Sequence, residues 1–280
     1  MRHPNTGANL VHTMIDLHNH LLPGIDDGPA DLHGALEMAR TAVGAGIATM
    51  VCTPHMSHRY PATTGRVIQD AVAALADELR QAEIPLEIVA GAELTVEVVR
   101  ELNDRELLAA SLGQSGWLMI ESPFEGWPIR LAQMIAELEI RGFRVIIAHP
   151  ERAEAIQHSP DRLRDLVGRG ALVQSNASSF LGGHGRLVAQ TVENLMRNEL
   201  IHVLASDAHS AEWRPPGLEE ARARAARLIG VWPQELDWMI NDGPRQILSG
   251  GQVRPPRFLP SEKAPPPNSA EPAPARGPRH

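Results

Sequence analysis

Two histidines separated by one residue, His18 and His20, stand in the run Asp16-Leu17-His18-Asn19-His20, which is followed by Leu22-Pro23-Gly24-Ile25-Asp26-Asp27-Gly28. Residues 13–17 read as a short strand. Side chains alternate faces along a strand, so the two imidazoles project to the same side. Imidazole suits Zn, Mn and Fe, and the carboxylates downstream lie in a glycine-punctuated loop that can fold back to complete a coordination shell. An isolated H-x-H pair is more often two ordinary histidines, so the rest of the chain must decide.

The residues that follow each later apolar run do decide it. The second run ends in Thr53-Pro54-His55, the third in Gly91-Ala92-Glu93 and the fourth in Ile120-Glu121. The fifth ends in His149-Pro150-Glu151-Arg152, the sixth in Gln174-Ser175-Asn176 and the seventh in Ser206-Asp207-Ala208-His209. Asp207 and His209 repeat the spacing of the opening pair. His18, His20, His55, His149 and His209, with Asp27, Glu93, Glu121 and Asp207, exceed the about four to six ligands of one ion, so roughly two or three ions are expected. Glu93 is a candidate bridge between two of them, with hydroxide on the open side. Imidazole and carboxylate without thiolate point to Mn, Fe or Zn at a reactive centre.

Such a cluster activates water near neutral pH and clamps the oxygens of an in-line displacement, so hydrolysis of a phosphoester is the natural reaction. Its substrate needs cationic donors. Arg152, three residues past His149, and Arg214 in Trp213-Arg214-Pro215-Pro216 are the candidates, because a guanidinium fork matches phosphate oxygens and stays charged. His55, His58 and Asp207 are the candidate proton donors.

The elements that must carry these residues alternate. Strands are expected at 13–17, 47–52, 86–90, 117–120, 144–148, 171–175 and 201–205. Helices are expected at 31–44, 64–82, 95–103, 129–141, 160–168, 184–199, 218–228 and 233–240. In the first helix Asp31 is placed to cap, and Leu32, Ala35, Leu36, Ala39 and Val43 form one apolar face. Alternation argues for a parallel α/β sheet with helical crossovers. Polar signals after nearly every strand fit a barrel that gathers its site around one rim better than an open sheet with one or two crevices.

The 280 residues, 43% hydrophobic and 21% charged, allow one large α/β domain over 13–250. Residues 1–12 read as a loose leader. Residues 251–280 hold nine of the 23 prolines and read as a disordered Pro-rich tail. The sequence lacks an apolar run of membrane-spanning length or a signal-peptide pattern, so a cytoplasmic protein without membrane insertion is expected. A formal charge of −8 gives no basic footprint for nucleic acid. The single cysteine, Cys52, does not begin a C-x5-R phosphatase loop, since His58 occupies the arginine position; it reads as the buried last residue of the second strand. Neither a P-loop nor a G-x-G-x-x-G run is present.

The run from Met14 to Gly28, together with T-P-H, G-A-E, A-H-P-E-R, S-D-A-H and W-R-P-P, resembles the polymerase and histidinol phosphatase (PHP) superfamily. Within it, the chain is most similar to the bacterial metal-dependent protein-tyrosine phosphatases of capsular and exopolysaccharide biosynthesis. The resemblance covers about residues 13–250. It implies a distorted seven-stranded (β/α)7 TIM-like barrel and a trinuclear site often occupied by manganese. The implied reaction removes phosphate from a membrane-associated bacterial tyrosine kinase that controls polysaccharide export. Carried over by motif, the ligands are the nine residues above and the phosphate-holding groups are Arg152 and Arg214. Ala153 and Asn241-Asp242-Gly243-Pro244 depart from the family pattern. A small-molecule phosphatase of the histidinol-phosphatase type is the alternative on this scaffold, and a metal-stabilised binding module without chemistry is a further rival.

Overall fold

The repeating strand–loop–helix pattern of the sequence becomes a parallel α/β structure. The computed structural model describes residues 14–258; the expected leader, and the part of the expected tail beyond 258, lie outside the described residues. The strands among the described residues are β1 (Met14–Asn19), β2 (Ile47–Cys52), β3 (His55–Met56), β4 (Glu87–Ala90), β5 (Glu93–Leu94), β6 (Trp117–Glu121), β7 (Arg144–Ala148), β8 (Leu172–Asn176) and β9 (Val203–Ala205). They form two sheets, ordered β1-β2-β4 and β3-β5-β6-β7-β8-β9, with every pairing parallel.

Two sheets, of three and six strands, replace the single closed ring of seven that the sequence led us to expect. The cause is local. The second and third expected strands, β2 and β4, are each followed by an interruption, at Thr53-Pro54 and at Gly91-Ala92, and then by a two-residue strand in the other sheet. Pro54 has no N–H for a ladder. Gly91 is held so close to its neighbours that an added Cβ would lie 2.7 Å from Leu112 and 3.0 Å from Val51. Past the interruptions β3 and β5 resume in register, His55 opposite Glu93, which sets an imidazole beside a carboxylate. The outer edges approach as well: His20 N donates to Ala208 O and Asp207 N to His18 O, both at 2.8 Å.

Along β6 to β9 the alternation of side chains sorts the residues. Trp117, Met119, Ile146, Ala148, Leu172 and Val203 fall on one face and pack with Ile15, Leu17 and Val51 in an apolar cluster. The same rows continue at the carboxyl ends into Glu121, Gln174 and Asn176, so the inner face changes from apolar to polar along each strand. Residues of the opposite face, Leu118, Ile120, Val145, Ile147, Val173 and Leu204, join the larger core beneath the helices. Each fully buried aliphatic side chain contributes about 1.5–3 kcal/mol.

The helices follow their caps. Asp31 accepts a hydrogen bond from Gly34 N at 3.0 Å and starts the helix Leu32–Gly44; Thr64 does the same for Gly65–Gln81. The expected helix 95–103 is Val96–Glu101, and a second helix that was not expected, Asp104–Ala110, follows it. Asn103 forms a reciprocal capping box with Glu106, and this restarts the helix. The expected helix 233–240 is a 3₁₀ segment, Pro233–Met239, followed by a helix Asp242–Leu248 that periodicity did not reveal. Packing continues past 250: Val253 is buried, and Gly251 O accepts from Trp117 Nε1 at 3.3 Å. No helix among the described residues is long and apolar enough to cross a membrane.

Candidate metal centre

All nine expected ligands come together at the carboxyl ends of the strands. His18 lies within β1, one residue before its end, and His20 follows it. Gly28 lets the next loop fold back: a Cβ there would lie 2.1 Å from the carbonyl oxygen of His20. The return brings Asp26 against His20, whose Nδ1 donates to Oδ2 at 2.6 Å, and the same oxygen accepts from His55 N at 2.9 Å. Asp26 is therefore a support. Asp27, 41% exposed, turns its Oδ1 toward Nε2 of His55 and of His209, 3.5 Å from each.

Four groupings have the spacing of metal ligands: His20, Asp27, His55 and His209; His18, Glu93 and His149; His18, His20 and Asp207; and His55, Glu93 and Glu121. Glu93 stands at their centre, fully buried. Its Oε1 accepts from His149 Nε2 at 2.7 Å, and its Oε2 lies 3.0 Å from His55, 3.3 Å from His18 and 3.5 Å from His20.

The donor set fits divalent ions. His18 Nδ1 bonds Gln174 Oε1 at 3.0 Å and His20 Nδ1 bonds Asp26, which leaves both Nε2 atoms facing inward. Among the described residues these two Nε2 atoms and Glu93 Oε2 are buried without a hydrogen-bond partner. Orphaned buried polar atoms are costly unless something coordinates them. The carboxylates match this. Burial works against ionisation of Glu93, but the charge of His18 and the bond from His149 outweigh it and hold Glu93 well below its ordinary range. Burial is likewise overcome at Asp207 by His18, His20, His149 and Arg214. Glu121 moves upward, from burial and from the charge of Glu93.

His149 and Asp207 both adopt positive φ, 31° and 52°. That conformation costs roughly 1–2 kcal/mol for a residue with a Cβ, and His and Asp tolerate it better than most. Each is held by a backbone bond: His149 N to Gln174 Oε1 at 3.3 Å and Asp207 N to His18 O. Asp16 is a brace. It accepts from Ser206 N and Oγ, at 2.9 and 2.5 Å, and burial raises its pKa to about 6. Glu151 is another, accepting from Ser175 Oγ, Asn176 N and Ser179 Oγ at 2.7–3.0 Å.

Both expected phosphate-holding arginines border the centre. Arg152 Nη1 donates to Asp207 Oδ2 at 3.2 Å, Arg214 bonds the same oxygen, and Asn176 Nδ2 donates to it at 2.6 Å. They line a cleft of about 180 Å3 with Asp27, His55, Glu93, Glu121, His149, Asp207 and His209. His58 is not among the lining residues; it pairs with Glu101 at the surface, 3.0 Å away. Cys52 is fully buried at the end of β2, and burial pushes its thiol pKa up, so it offers no thiolate.

Sequence reasoning missed the aromatic walls. Phe124 also lines the cleft, with its ring under the Arg152 guanidinium at 4.6 Å and stacked on His149. Tyr60, opposite in sequence origin, stacks parallel to His55 with ring centroids 5.9 Å apart. Available signals were the chain's one tyrosine, five residues past His55, and the Pro123-Phe124-Glu125-Gly126-Trp127 loop directly after Glu121.

Comparison with known proteins agrees with this geometry. The model of the family described as capsular polysaccharide synthesis, CpsB/CapC, matches residues 14–248. The chain is 34% identical to tyrosine-protein phosphatase YwqE of Bacillus subtilis, over 84% of this chain and 91% of that protein. It is 32% identical to the putative tyrosine-protein phosphatase CapC of Staphylococcus aureus, over 86% and 93%. A chain from the crystal structures of YwqE from Bacillus subtilis and CpsB from Streptococcus pneumoniae, described as unique metal-dependent tyrosine phosphatases, superposes with a TM-score of 0.80. It is 32% identical and covers 89% of this chain and 100% of its own. The phosphotriesterase homology protein of Escherichia coli, at 13% identity and a TM-score of 0.56 over 85% of this chain and 99% of its own, shares the fold alone. From its family match and its identity to these phosphatases, the chain is a member of the capsular polysaccharide synthesis CpsB/CapC family.

Proposed function

We propose that the chain is a metal-dependent protein-tyrosine phosphatase acting in the cytoplasm on a bacterial tyrosine kinase that regulates capsule or exopolysaccharide synthesis. One observation carries this reading: unpartnered inward-facing atoms of His18, His20 and Glu93 lie beside Asp207, on which Arg152 and Arg214 converge. The floor suits cations and the rim suits a phosphate. The named activity of the YwqE and CapC relatives supports the same assignment.

His18, His20, Asp27, His55, Glu93, Glu121, His149, Asp207 and His209 would hold roughly two or three divalent ions, manganese first, with iron or zinc as alternatives. When bound, such ions supply Lewis acidity that activates water near neutral pH and offsets phosphoryl charge. The residues do the rest. Arg152 and Arg214 grip the non-bridging phosphate oxygens, and Asp207 with Asn176 aligns both forks beforehand. Phe124 and Tyr60 flank the substrate ring and exclude water from it. The leaving phenolate, with a parent pKa of about 10, needs little proton assistance. Of the candidate donors, His55 has access to the cleft, His58 does not, and Asp207 is engaged by the arginines. We also read the two sheets as one distorted seven-stranded barrel, supported by the His18–Asp207 and His20–Ala208 backbone bonds between their outer edges.

The test is hydrolysis of a phosphotyrosine peptide and of histidinol phosphate by protein stripped with EDTA and then reloaded with Mn²⁺. Activity that disappears on stripping, returns on reloading and favours the peptide in kcat/KM supports the reading. Activity that survives complete stripping overturns the metal mechanism, and preference for histidinol phosphate assigns the small-molecule alternative.

A further inference from the structure

Arg152 and Arg214 border a second recess. On their far side lies a groove of about 740 Å3, walled by the turn around Leu181 to His184 and by the segment Trp213–Glu220. Leu181 and Trp213, 46% and 76% exposed, line it together with Pro215 and the buried Leu218. Glu219 and Glu220, at the last positions of that segment, also line it.

The groove is preformed. Ser179 is tied to buried Glu151 at 2.7 Å just before Leu181, and Gly183 N bonds Ser178 O at 2.9 Å. Pro215 and Pro216 fix the opposite wall, whose start is pinned by His209 N donating to Arg214 O at 3.0 Å. His184 in the floor is bonded to Ser178 Oγ at 2.9 Å. A rigid apolar recess with charged ends has the character of a binding site.

We propose that this groove receives the part of the phosphotyrosyl substrate next to the scissile residue, with an apolar side chain on Leu181 and Trp213 and a basic side chain beyond it against Glu220. The inference rests on the phosphatase reading above. Continuity argues for this occupant. The two arginines that would hold the phosphate also form the inner end of the groove, and an extended chain advances about 3.3 Å per residue, so neighbours a few positions from the phosphotyrosine reach it. Charge argues for the order of side chains. Arg152 and Arg214 make the end shared with the cleft cationic, whereas the Trp213–Glu220 wall finishes in Glu219, which is paired with Arg222 at 2.6 Å, and Glu220, so a basic residue is favoured beside Glu220 and disfavoured beside the arginines.

The test uses the full chain loaded with Mn²⁺. The substrates are p-nitrophenyl phosphate and a set of phosphotyrosine peptides in which each of the neighbouring positions on both sides is varied among Leu, Lys, Ser and Asp. The expected result is a kcat/KM advantage of about tenfold, equivalent to about 1.4 kcal/mol, for a peptide with Leu near the phosphotyrosine and Lys further out. Leu181→Gln and Glu220→Lys should each erase most of that advantage through KM, while p-nitrophenyl phosphate is hydrolysed as by the unaltered chain. Equal rates for all peptides, within about threefold, overturn the groove assignment and leave the phosphatase reading standing. A Leu181→Gln effect confined to self-association, read by sedimentation, overturns it in favour of a second copy. Failure of the loaded chain to hydrolyse any aryl phosphate overturns the phosphatase reading itself, and the groove assignment with it.

Discussion

Arg152 Nη1 lies 3.2 Å from Oδ2 of Asp207, so a guanidinium at the rim of the cleft is aligned by a carboxylate that also belongs to the metal cluster. This pairing couples the group that would hold phosphate to the groups that would hold metal. Arg152→Ala should lower kcat/KM on a phosphotyrosine peptide by about 10²–10³-fold, the loss typical of one oxyanion-stabilising donor, with bound metal unchanged. Arg152→Lys should recover little, because an ammonium cannot reproduce the fork. Steady-state kinetics with metal analysis checks both. Retention of full activity by Arg152→Ala would remove the residue from the phosphate site.

Asp26 acts one layer away. Its Oδ2 holds His20 Nδ1 at 2.6 Å and His55 N at 2.9 Å, and so aims two of the imidazoles. Removing such a support costs about 10–100-fold in metal affinity. Asp26→Ala should therefore need that much more Mn²⁺ for half-maximal activity and approach the normal rate once saturated. A low plateau that no amount of Mn²⁺ raises would instead identify Asp26 as a direct participant.

Much of this centre was legible because its residues obey local rules. The i, i+2 pairs His18/His20 and Asp207/His209, and a ligand type after every apolar run but the sixth, follow from strand alternation and from parallel strands opening on one rim. What was missed depends on the third dimension. Pro54 and Gly91 break the ladder locally, but neither residue by itself says where it resumes, which is set by pairing with strands distant in sequence. Phe124 and Tyr60 reach the cleft through irregular loops without period. The helix restart at Asn103 lies in a side-chain capping box inside an otherwise continuous apolar pattern.

Glu93 separates metal binding from folding. It is buried against His18, His20, His55 and His149, and it belongs to two of the candidate groupings. Metal that binds only the folded chain raises its stability by about 2.7 kcal/mol at a hundredfold excess over Kd, or about 5–10 °C in Tm for a domain of this size. EDTA should lower the Tm of the unaltered chain by that amount. Glu93→Gln should abolish activity and reduce the EDTA response of Tm, as followed by circular dichroism, because two of the four ligand groupings contain it. An undiminished EDTA response in the variant would take Glu93 out of the metal site.

His202 provides a pH test away from the metal cluster. It is buried, its Nδ1 accepts from Val173 N at 3.0 Å, and burial lowers its pKa from 6.5 to about 4. The folded chain therefore prefers the neutral ring, whereas the unfolded chain binds a proton below about pH 6.5. The sign follows: the stability contributed by neutral His202 is fully present above pH 6.5 and is lost progressively as pH falls toward 4, by up to about 3 kcal/mol. His202→Gln keeps an acceptor for Val173 N and cannot titrate. Urea unfolding of metal-free protein between pH 7 and 4.5 should show a shallower loss of stability for the variant than for the unaltered chain. Parallel curves would mean that His202 does not contribute to the acid limb.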